Sequence, residues 1–342
     1  MKVLIVGAGV AGLGIGWRLA QAGVQVTILE RAEPASGATF AAAGMLAATA
    51  ELADAAEPET AFAGQAQALW PGFAAELEQA AGVPLSYRRN GALMVAPSRP
   101  AVLAPGTLWL DADAARARAP MLGDIAGAVW APDEAQADSR ALGRALTAAF
   151  ARAGGELLTG VTVTAVAGGE AVTDSGRHQA DVVILAAGAW SSLIAAAVPV
   201  TPVKGEMILL TPPPGATPPE PVIWGEGVYL VPRGQALMVG ATVEEAGFDT
   251  SVTVDARDTL RAGAEKLVPS LRAWTLADQW AGLRPRSPDG LPLLGPLADG
   301  LLVAGGQYRN GILFAPAIAE HMRDLVLDRV PVNPAFDPRR FS

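Results

Sequence analysis

The chain has 342 residues, a formal net charge of −9, two histidines and no cysteine. Its length allows a sizeable core and two domains, while the acidic balance argues against nucleic-acid binding and the missing cysteines exclude disulfides, thiolate catalysis and a flavin linked through cysteine sulfur. A histidine-rich metal site is excluded too, no apolar run reaches the about 18 residues of a membrane span, and no secretory signal is visible, so we expect a cytoplasmic protein with neither a metal nor a membrane contact.

Residues 3–30 have the pattern of a dinucleotide-binding βαβ unit. A short apolar run predicts a strand, and it leads through Gly7, Gly9 and Gly12 into a helical segment. These glycines permit a tight turn, close approach of the backbone to a pyrophosphate, and close packing of the helix on the sheet. Glu30, eighteen residues after Gly12, ends the next apolar run and can accept hydrogen bonds from ribose hydroxyls. The motif predicts a dinucleotide at the helix N-terminus, but it does not distinguish FAD from NAD.

The middle of the chain predicts a change from α/β to mostly β structure. Residues 60–81 have helical spacing in which Pro71 predicts a break, and a hairpin is predicted around Asn90-Gly91. The further predicted elements, in chain order, are a helix over 139–153 with Ser139 as its N-cap, strands at 161–166 and 182–187, antiparallel strands at 199–211 and 227–242, and a helix over 256–267.

The end of the chain returns to α/β structure. Residues 301–304 predict a strand, 305–311 a glycine-rich turn, and 315–329 a helix whose N-terminus points back at the turn. If this turn meets the redox ring of the cofactor, its N–H groups and the helix dipole would stabilise negative charge there. A flavin gains negative charge at N1 and C2=O on reduction and nicotinamide does not, so this arrangement favours FAD over NAD.

Eight short motifs in register run along nearly the whole chain. Besides the extended pattern of residues 7–30, they are AAAGML at 41–46, Val161, AGAWS at 187–191, PVKGE at 202–206, YLVPR with VGAT at 229–242, AGLRP with DGLP at 281–292, and YRNGIL with AP at 308–316. Together they resemble the D-amino-acid oxidase superfamily of flavoproteins and, within it, the glycine oxidases of thiamine synthesis. Gly16 departs mildly from the pattern, which usually has alanine there.

The resemblance implies an α/β fold in which a discontinuous, Rossmann-like FAD-binding domain carries an inserted β-rich substrate domain with a mixed or antiparallel sheet. We assign residues 1–82, 138–198 and 288–342 to the FAD-binding domain, and residues 83–137 and 199–287 to the substrate-binding domain.

The resemblance also implies which side chains form the site. Arg284 and Tyr229 would hold the substrate carboxylate, with Arg309 near the same pocket. The planar fork of arginine suits a carboxylate, and a phenol adds a directional donor. The residues expected to contact non-covalent FAD are Gly7, Gly9, Gly12, Glu30, Arg31, Thr39, Ala43, Gly44, Met45, Val161, Gly188, Trp190, Arg284, Gly306, Tyr308, Arg309, Asn310, Gly311, Ile312 and Leu313.

The implied pocket offers no obvious general base, because the chain has no cysteine, two histidines and three lysines. We therefore expect direct hydride transfer from the substrate Cα to flavin N5 rather than a mechanism that begins with proton abstraction. Lys204 is expected to have a structural or oxygen-side role. Met45, Met207 and Met238 are candidates for narrowing the pocket, although such residues are more often simple core.

The predicted function is FAD-dependent oxidation of glycine, sarcosine and small D-amino acids, with dioxygen as the acceptor. The products would be hydrogen peroxide and an imino acid that hydrolyses to the 2-oxo acid or passes to a thiazole synthase, and we expect a homo-oligomer. Three alternatives stay open: a D-amino-acid oxidase or dehydrogenase with a quinone or another acceptor, a sarcosine-type N-methyl amine oxidase, and a binding module of this fold without catalysis.

Overall fold

The computed structural model describes residues 1–49, 55 and 57–341. The helices are α1 (Val10–Gln21), α2 (Ala38–Ala41), α3 (Glu57–Ala81), α4 (Ala112–Arg118), α5 (Ser139–Arg152), α6 (Ser191–Ile194), α7 (Val254–Leu267) and α8 (Ala315–Val326). The strands are β1 (Lys2–Val6), β2 (Gln25–Glu30), β3 (Met45–Leu46), β4 (Ala92–Ala96), β5 (Leu108–Asp111), β6 (Gly127–Ala131), β7 (Ala135–Gln136), β8 (Glu156–Thr159), β9 (Val163–Ala167), β10 (Glu170–Thr173), β11 (Gly176–Gln179), β12 (Val182–Leu185), β13 (Thr201–Thr211), β14 (Val222–Gly225), β15 (Val228–Arg233), β16 (Ala236–Gly240), β17 (Thr275–Arg286), β18 (Leu293–Ala298) and β19 (Leu301–Gly305). Within these described ranges, no helix is long and apolar enough to cross a membrane.

A six-stranded sheet with the order β18-β19-β12-β1-β2-β8 carries the predicted dinucleotide motif. Its pairs are parallel except for β18 with β19. Both faces are covered, which is why β1 is a continuous apolar run. Val3 and Ile5 pack among α1, α3, α5 and α8 on one face, and Leu4 and Val6 pack toward the small sheet of β9, β10 and β11 on the other.

The second large sheet has eight strands in the order β17-β13-β16-β15-β14-β4-β6-β5. It is antiparallel except for the parallel pair of β14 with β4, so the expected mixed α/β architecture is confirmed. Every strand of the six-stranded sheet falls in the ranges assigned to FAD binding, and every strand of the eight-stranded sheet falls in those assigned to the substrate. The domain boundaries themselves stay a prediction.

The predicted break at Pro71 is wrong, because α3 runs without interruption through this residue. Trp70, Phe73 and Leu77 are all buried on one face of the helix, so the packed stripe continues across the proline. Pro71 itself is on the exposed side. The helix thus tolerates a lost backbone hydrogen bond where burial on the opposite face stabilises it.

Two other local predictions are wrong. The segment before Asn90-Gly91 forms no hairpin with β4; instead Arg88 bridges to Gln136, and β4 pairs with β6 and β14. The N-cap of α5 is Asp138 rather than Ser139: its carboxylate accepts hydrogen bonds from the second and third N–H groups of the helix at 2.9 and 3.0 Å. The remaining predicted elements overlap strands or helices of the predicted type.

Candidate functional site

A cavity of about 790 Å³ is lined by residues from both large sheets and from the turns at their edges. The β1–α1 turn forms part of its wall. Gly7 has φ +104°, and a Cβ there would lie 2.6 Å from the Ala186 carbonyl oxygen, so only glycine fits the turn. Gly9 and Ala11 line the cavity, and among the described residues their N–H groups have no acceptor. This helix N-terminus is therefore ready to bind an anion.

Two of the predicted residues, Gly12 and Thr39, stabilise this turn. A Cβ at Gly12 would lie 2.0 Å from the Gly7 carbonyl oxygen, so Gly12 allows the close packing predicted for it, but it is not in the cavity wall. The Thr39 hydroxyl lines the cavity and accepts the Val10 N–H at 3.0 Å, which holds the first turn of α1.

The carboxylate of Glu30 lies at the end of β2, in the cavity wall. One of its oxygens accepts the Ala8 N–H at 2.7 Å and the other accepts the Ala32 N–H at 2.9 Å. The guanidinium of Arg31 lies 3.9 Å above the ring of Trp190, and both side chains line the cavity. Val161 joins this region through its N–H, which donates to the Glu30 carbonyl oxygen at 3.0 Å. The structure thus brings together an acid, a cation and an indole that are all predicted to contact the cofactor.

The eight-stranded sheet supplies Arg284, which lies on β17 with its guanidinium in the cavity wall. Its Nη1 donates to the carbonyl oxygens of Thr242 at 3.1 Å and Lys204 at 3.3 Å. Among the described residues, no carboxylate lies within ion-pair distance of it, and its Nε and Nη2 make no hydrogen bond. A half-buried cation with unused donors facing a cavity can bind an anionic group of a ligand.

The side chain of Tyr229, on β15, lines the same cavity. Its hydroxyl lies 3.2 Å from the Met207 sulfur. Tyr229 and Met207 pair with the same residue, Gly240, on either side of β16, so all three positions share one sheet face. The predicted arginine and phenol are therefore both in the wall of one cavity.

Two glycines make room for these side chains. A Cβ on Gly205 would lie 2.3 Å from Nη1 and 2.4 Å from Nη2 of Arg284. A Cβ on Gly240 would lie 2.2 Å from the Met207 sulfur and 2.5 Å from Cε2 of Tyr229. Both side chains thus lie flat over strand positions that have no side chain. Their neighbours in sequence give no sign of this close approach.

The glycine-rich turn after β19 forms another part of the wall. Tyr308, Arg309, Gly311 and Ile312 line the cavity. Tyr308 has φ +46°, and its N–H donates to the Pro285 carbonyl oxygen at 2.8 Å, which fixes the turn to the end of β17. The predicted α8 starts directly after this turn and begins at Ala315.

Three predicted residues of this region lie behind the wall. The Asn310 amide donates to Glu59 Oε1 at 2.9 Å, and the Leu313 carbonyl accepts the Trp70 indole N–H at 2.8 Å. Gly306, with φ +71°, packs against Ser287. Direct cofactor contact by Gly306, Asn310 and Leu313 therefore stays a prediction, as it does for Gly12. The predicted site residues in the wall itself are Gly7, Gly9, Glu30, Arg31, Thr39, Ala43, Gly44, Met45, Val161, Gly188, Trp190, Tyr229, Arg284, Tyr308, Arg309, Gly311 and Ile312.

Comparisons with known proteins give the family. The model of the family described as FAD dependent oxidoreductase matches residues 2–325. The chain belongs to this family. It is 39% identical, over 99% of its length, to the "Bifunctional protein ThiO/ThiG" of Synechocystis sp., and it covers 54% of that protein. It is 34% identical to the glycine oxidase of Geobacillus kaustophilus, over 99% of this chain and 96% of that one. The chain thus spans about half the length of the bifunctional relatives and nearly all of the glycine oxidase.

Solved structures give the same answer. The crystal structure of glycine oxidase from Geobacillus kaustophilus superposes with a TM-score of 0.91 at 32% identity and covers 98% of both chains. Iminodiacetate oxidase from Chelativorans sp. has a TM-score of 0.87 at 28% identity and covers 97% of this chain. These matches confirm the flavoprotein fold, and FAD is the cofactor of this FAD-dependent family member.

The residues present fit FAD. The cavity joins unpaired N–H groups at the start of α1, the Glu30 carboxylate and a cationic pocket in one space. The unpaired N–H groups suit a pyrophosphate, and the Glu30 carboxylate suits ribose hydroxyls. The cationic pocket lies in the wall formed by the eight-stranded sheet. The site of this FAD-dependent family member is therefore continuous from the dinucleotide motif to Arg284.

Lys204 lies outside this site. Alternate residues of a strand point to opposite faces, and Gly205 and Met207 are in the cavity wall while Lys204 and Glu206 are not. The Lys204 ammonium is buried and lies 3.0 Å from Glu206 and 3.5 Å from Glu244. Burial opposes the charge on Glu206, but the Thr253 N–H and Lys204 hold the pKa of that carboxyl below its ordinary value. Of its two expected roles, the structural one agrees with this placement.

Sequence reasoning missed Gln307 and only partly resolved the methionines. Gln307 is 6% exposed and lines the cavity, and its amide nitrogen has no partner among the described residues. It directly precedes the Tyr308 motif, which is the signal that pointed to this turn. Met45 and Met207 line the cavity, whereas Met238 is a buried core residue.

Proposed function

We propose that this chain is an FAD-dependent amino-acid oxidase that acts on glycine and other small amines, such as sarcosine and small D-amino acids. The observation that carries the proposal is the Arg284 guanidinium, which faces the cavity with unused donors and no carboxylate partner among the described residues. A substrate carboxylate would complete its hydrogen bonds, and the Tyr229 hydroxyl in the same wall would exchange its contact with the Met207 sulfur for the carboxylate. Such a grip suits an α-amino acid better than a simple amine.

The charges around the cavity support hydride transfer. Glu30 is the only carboxylate among the described residues that line the cavity, and both of its oxygens already accept backbone N–H groups. No described wall residue is therefore suited to remove a Cα proton. Bound FAD would supply the two-electron chemistry, as the acceptor of a hydride from the substrate Cα and the source of electrons for the reduction of dioxygen to hydrogen peroxide. The protein's part is to hold the carboxylate so that the Cα is in position.

The fate of the product is also part of the proposal. The resemblance to glycine oxidases of thiamine synthesis, and relatives named ThiO/ThiG that are about twice as long as the matching segment, support a thiazole synthase as the partner that takes up the imine. The division into FAD-binding and substrate-binding segments, and a homo-oligomeric state, are further proposals that follow the family.

A substrate panel with an oxygen electrode tests the proposal. Glycine, sarcosine and D-alanine should be oxidised with release of hydrogen peroxide, while methylamine, which has the amine but no carboxylate, should not. Oxidation of methylamine at the rate of glycine would remove the carboxylate grip from the argument. Rapid reduction by glycine with slow reoxidation in air would favour a dehydrogenase with another acceptor, and turnover confined to sarcosine would favour an N-methyl amine oxidase.

A further inference from the structure

The five carbonyl oxygens of residues 40–44 are each held by a donor that does not line the cavity. The acceptor and donor pairs are Phe40 with Arg140 Nε (3.4 Å), Ala41 with Trp280 Nε1 (3.1 Å), Ala42 with Ser139 Oγ (2.6 Å), Ala43 with Arg233 Nη2, and Gly44 with the Ala137 N–H (2.9 Å). These donors come from α5 and from Ala137, two residues before it, from the end of β15, and from β17. The whole segment is thus fixed from behind.

This arrangement directs two N–H groups into the cavity. In a trans peptide the C=O and the N–H point in opposite directions. The carbonyls of Ala42 and Ala43 are bound on the far side, so the N–H groups of Ala43 and Gly44 point the other way. Both residues line the cavity, and neither N–H has an acceptor among the described residues. Two unpaired N–H groups on neighbouring residues are a site for an electron-rich ligand atom.

Glycine is required at position 44 for this geometry. Its φ is +78°, and a Cβ there would lie 1.9 Å from the Ala137 carbonyl oxygen and 3.2 Å from Arg233 Nη2. The backbone therefore lies tightly against both of the groups behind it. The direction of the two N–H groups follows from this contact rather than from local sequence.

Arg233 is the unusual member of the set. It is partly buried, and no ion pair between it and a described carboxylate is formed. Burial is the main cause that lowers the pKa of its guanidinium, and the nearby cations Arg88 and Arg140 lower it further against the opposing effect of Asp138. Burial of a guanidinium without a carboxylate partner costs free energy. The contact of Arg233 with a single carbonyl oxygen therefore calls for an explanation.

We propose that Arg233 is a positioning residue whose charge polarises the Ala43–Gly44 peptide and so strengthens the Gly44 N–H, which together with the Ala43 N–H binds an electron-rich atom of the flavin ring and favours its reduced state. A hydrogen bond to a charged group is stronger than a neutral one, and linked hydrogen bonds polarise each other. The inference rests on the proposed function only through the cofactor, because no amine takes part in it.

Substitution of Arg233 separates charge from shape. Arg233→Gln keeps a hydrogen-bond donor without charge, Arg233→Lys keeps the charge, and Arg233→Met keeps neither. Arg88→Met is the matched control, because it removes a cation of the same cluster that donates to the Pro232 carbonyl instead of to residues 40–44. For each variant we would measure the dissociation constant of oxidised FAD by reconstituting the apoprotein, and the midpoint potential of the bound flavin against a reference dye.

The Gln and Met variants should bind reduced FAD about tenfold more weakly relative to oxidised FAD, which lowers the two-electron midpoint potential by about 30 mV. The Lys variant and the Arg88→Met control should keep the native potential. A Gln variant with the native potential, or a Lys variant shifted as far as the Gln variant, would overturn the role of the charge. If the Met variant does not fold, the comparison of Gln with Lys still decides. Since no amine is used, a failure of the substrate panel would leave this result unaffected.

Discussion

Replacing Gly205 by alanine should damage substrate binding without touching the substrate. The new Cβ would lie 2.3–2.5 Å from the guanidinium atoms of Arg284, and ordinary contact begins near 3.4 Å. The guanidinium must therefore shift by roughly 1 Å, a displacement of the size that costs about 100-fold in rate when it moves a positioning group. The backbone at Gly205 is not left-handed, so alanine adds no strain of its own. We expect kcat/KM for glycine to fall about 100-fold, equivalent to about 2.7 kcal/mol.

Steady-state oxygen consumption measures this effect, and flavin absorbance shows that FAD is retained. Gly64→Ala is the control, because a Cβ at this exposed position of α3 meets nothing within 4 Å; activity should be unchanged and stability raised by about 0.4–1 kcal/mol. In an Arg284→Ala background, Gly205→Ala should have no further effect, since the two changes act through one group. Additive losses in this cycle, or native kcat/KM in the single variant, would refute the reasoning.

Four other changes have directions set by the structure. Arg284→Ala should lower kcat/KM by a factor equivalent to about 3 kcal/mol, seen in the same oxygen assay, because it removes a charge-assisted pair with the substrate; an unchanged value would remove Arg284 from the site. Glu30→Ala should weaken FAD retention in dialysis without altering the order of preferred amines, since it removes a ribose acceptor and frees two backbone N–H groups; tight FAD would count against that role. Lys204→Met should destabilise the protein by about 3–5 kcal/mol in urea unfolding, because Glu206 keeps a buried charge; a loss below about 1 kcal/mol would contradict the ion-pair argument. Burial, more than any other cause, raises the pKa of Glu59 above its ordinary value of 4.5. Protonated Glu59 therefore contributes stability that is complete below pH 4.5 and is lost as the pH rises through the raised pKa. Thermal unfolding of Glu59→Gln should show a smaller loss of stability over this pH window, and an identical loss would exclude Glu59 as its source.

The dinucleotide part of the site was predictable because its signal is local. Gly7, Gly9 and Glu30 stand within one βαβ unit, and each has a physical role that its residue type discloses. The turn positions, the helix and the acid at the strand end all agree with the structure. The errors in local structure arose where tertiary contacts override local signals. Pro71 lies within a helix whose other face is buried, and burial is not visible in a single residue.

The cavity wall around Arg284 and Tyr229 depends on contacts between distant strands. Gly205 and Arg284 are neighbours because β13 pairs with β17, and Gly240 lies under Tyr229 because β15 pairs with β16. Arg233 reaches the carbonyl of Ala43 over 190 positions in the chain. Periodicity in one segment predicts which face a residue takes, but it does not predict what lies opposite. The resemblance supplied Arg284 and Tyr229, and only the register supplies the glycines that make room for them.

The placement of Lys204 was predictable from the alternation of residues along its strand, and not only from its motif. Its strand contains Gly205 and Met207, which line the cavity, so the period of two puts Lys204 and Glu206 on the other face. A role for Lys204 on the oxygen side would need both faces of one strand to meet the same cavity. The backbone carbonyl of Lys204 does meet the site, because it accepts a hydrogen bond from Arg284 at 3.3 Å. The ion pair with Glu206 therefore anchors, from behind the sheet, the strand on which the Arg284 side chain rests.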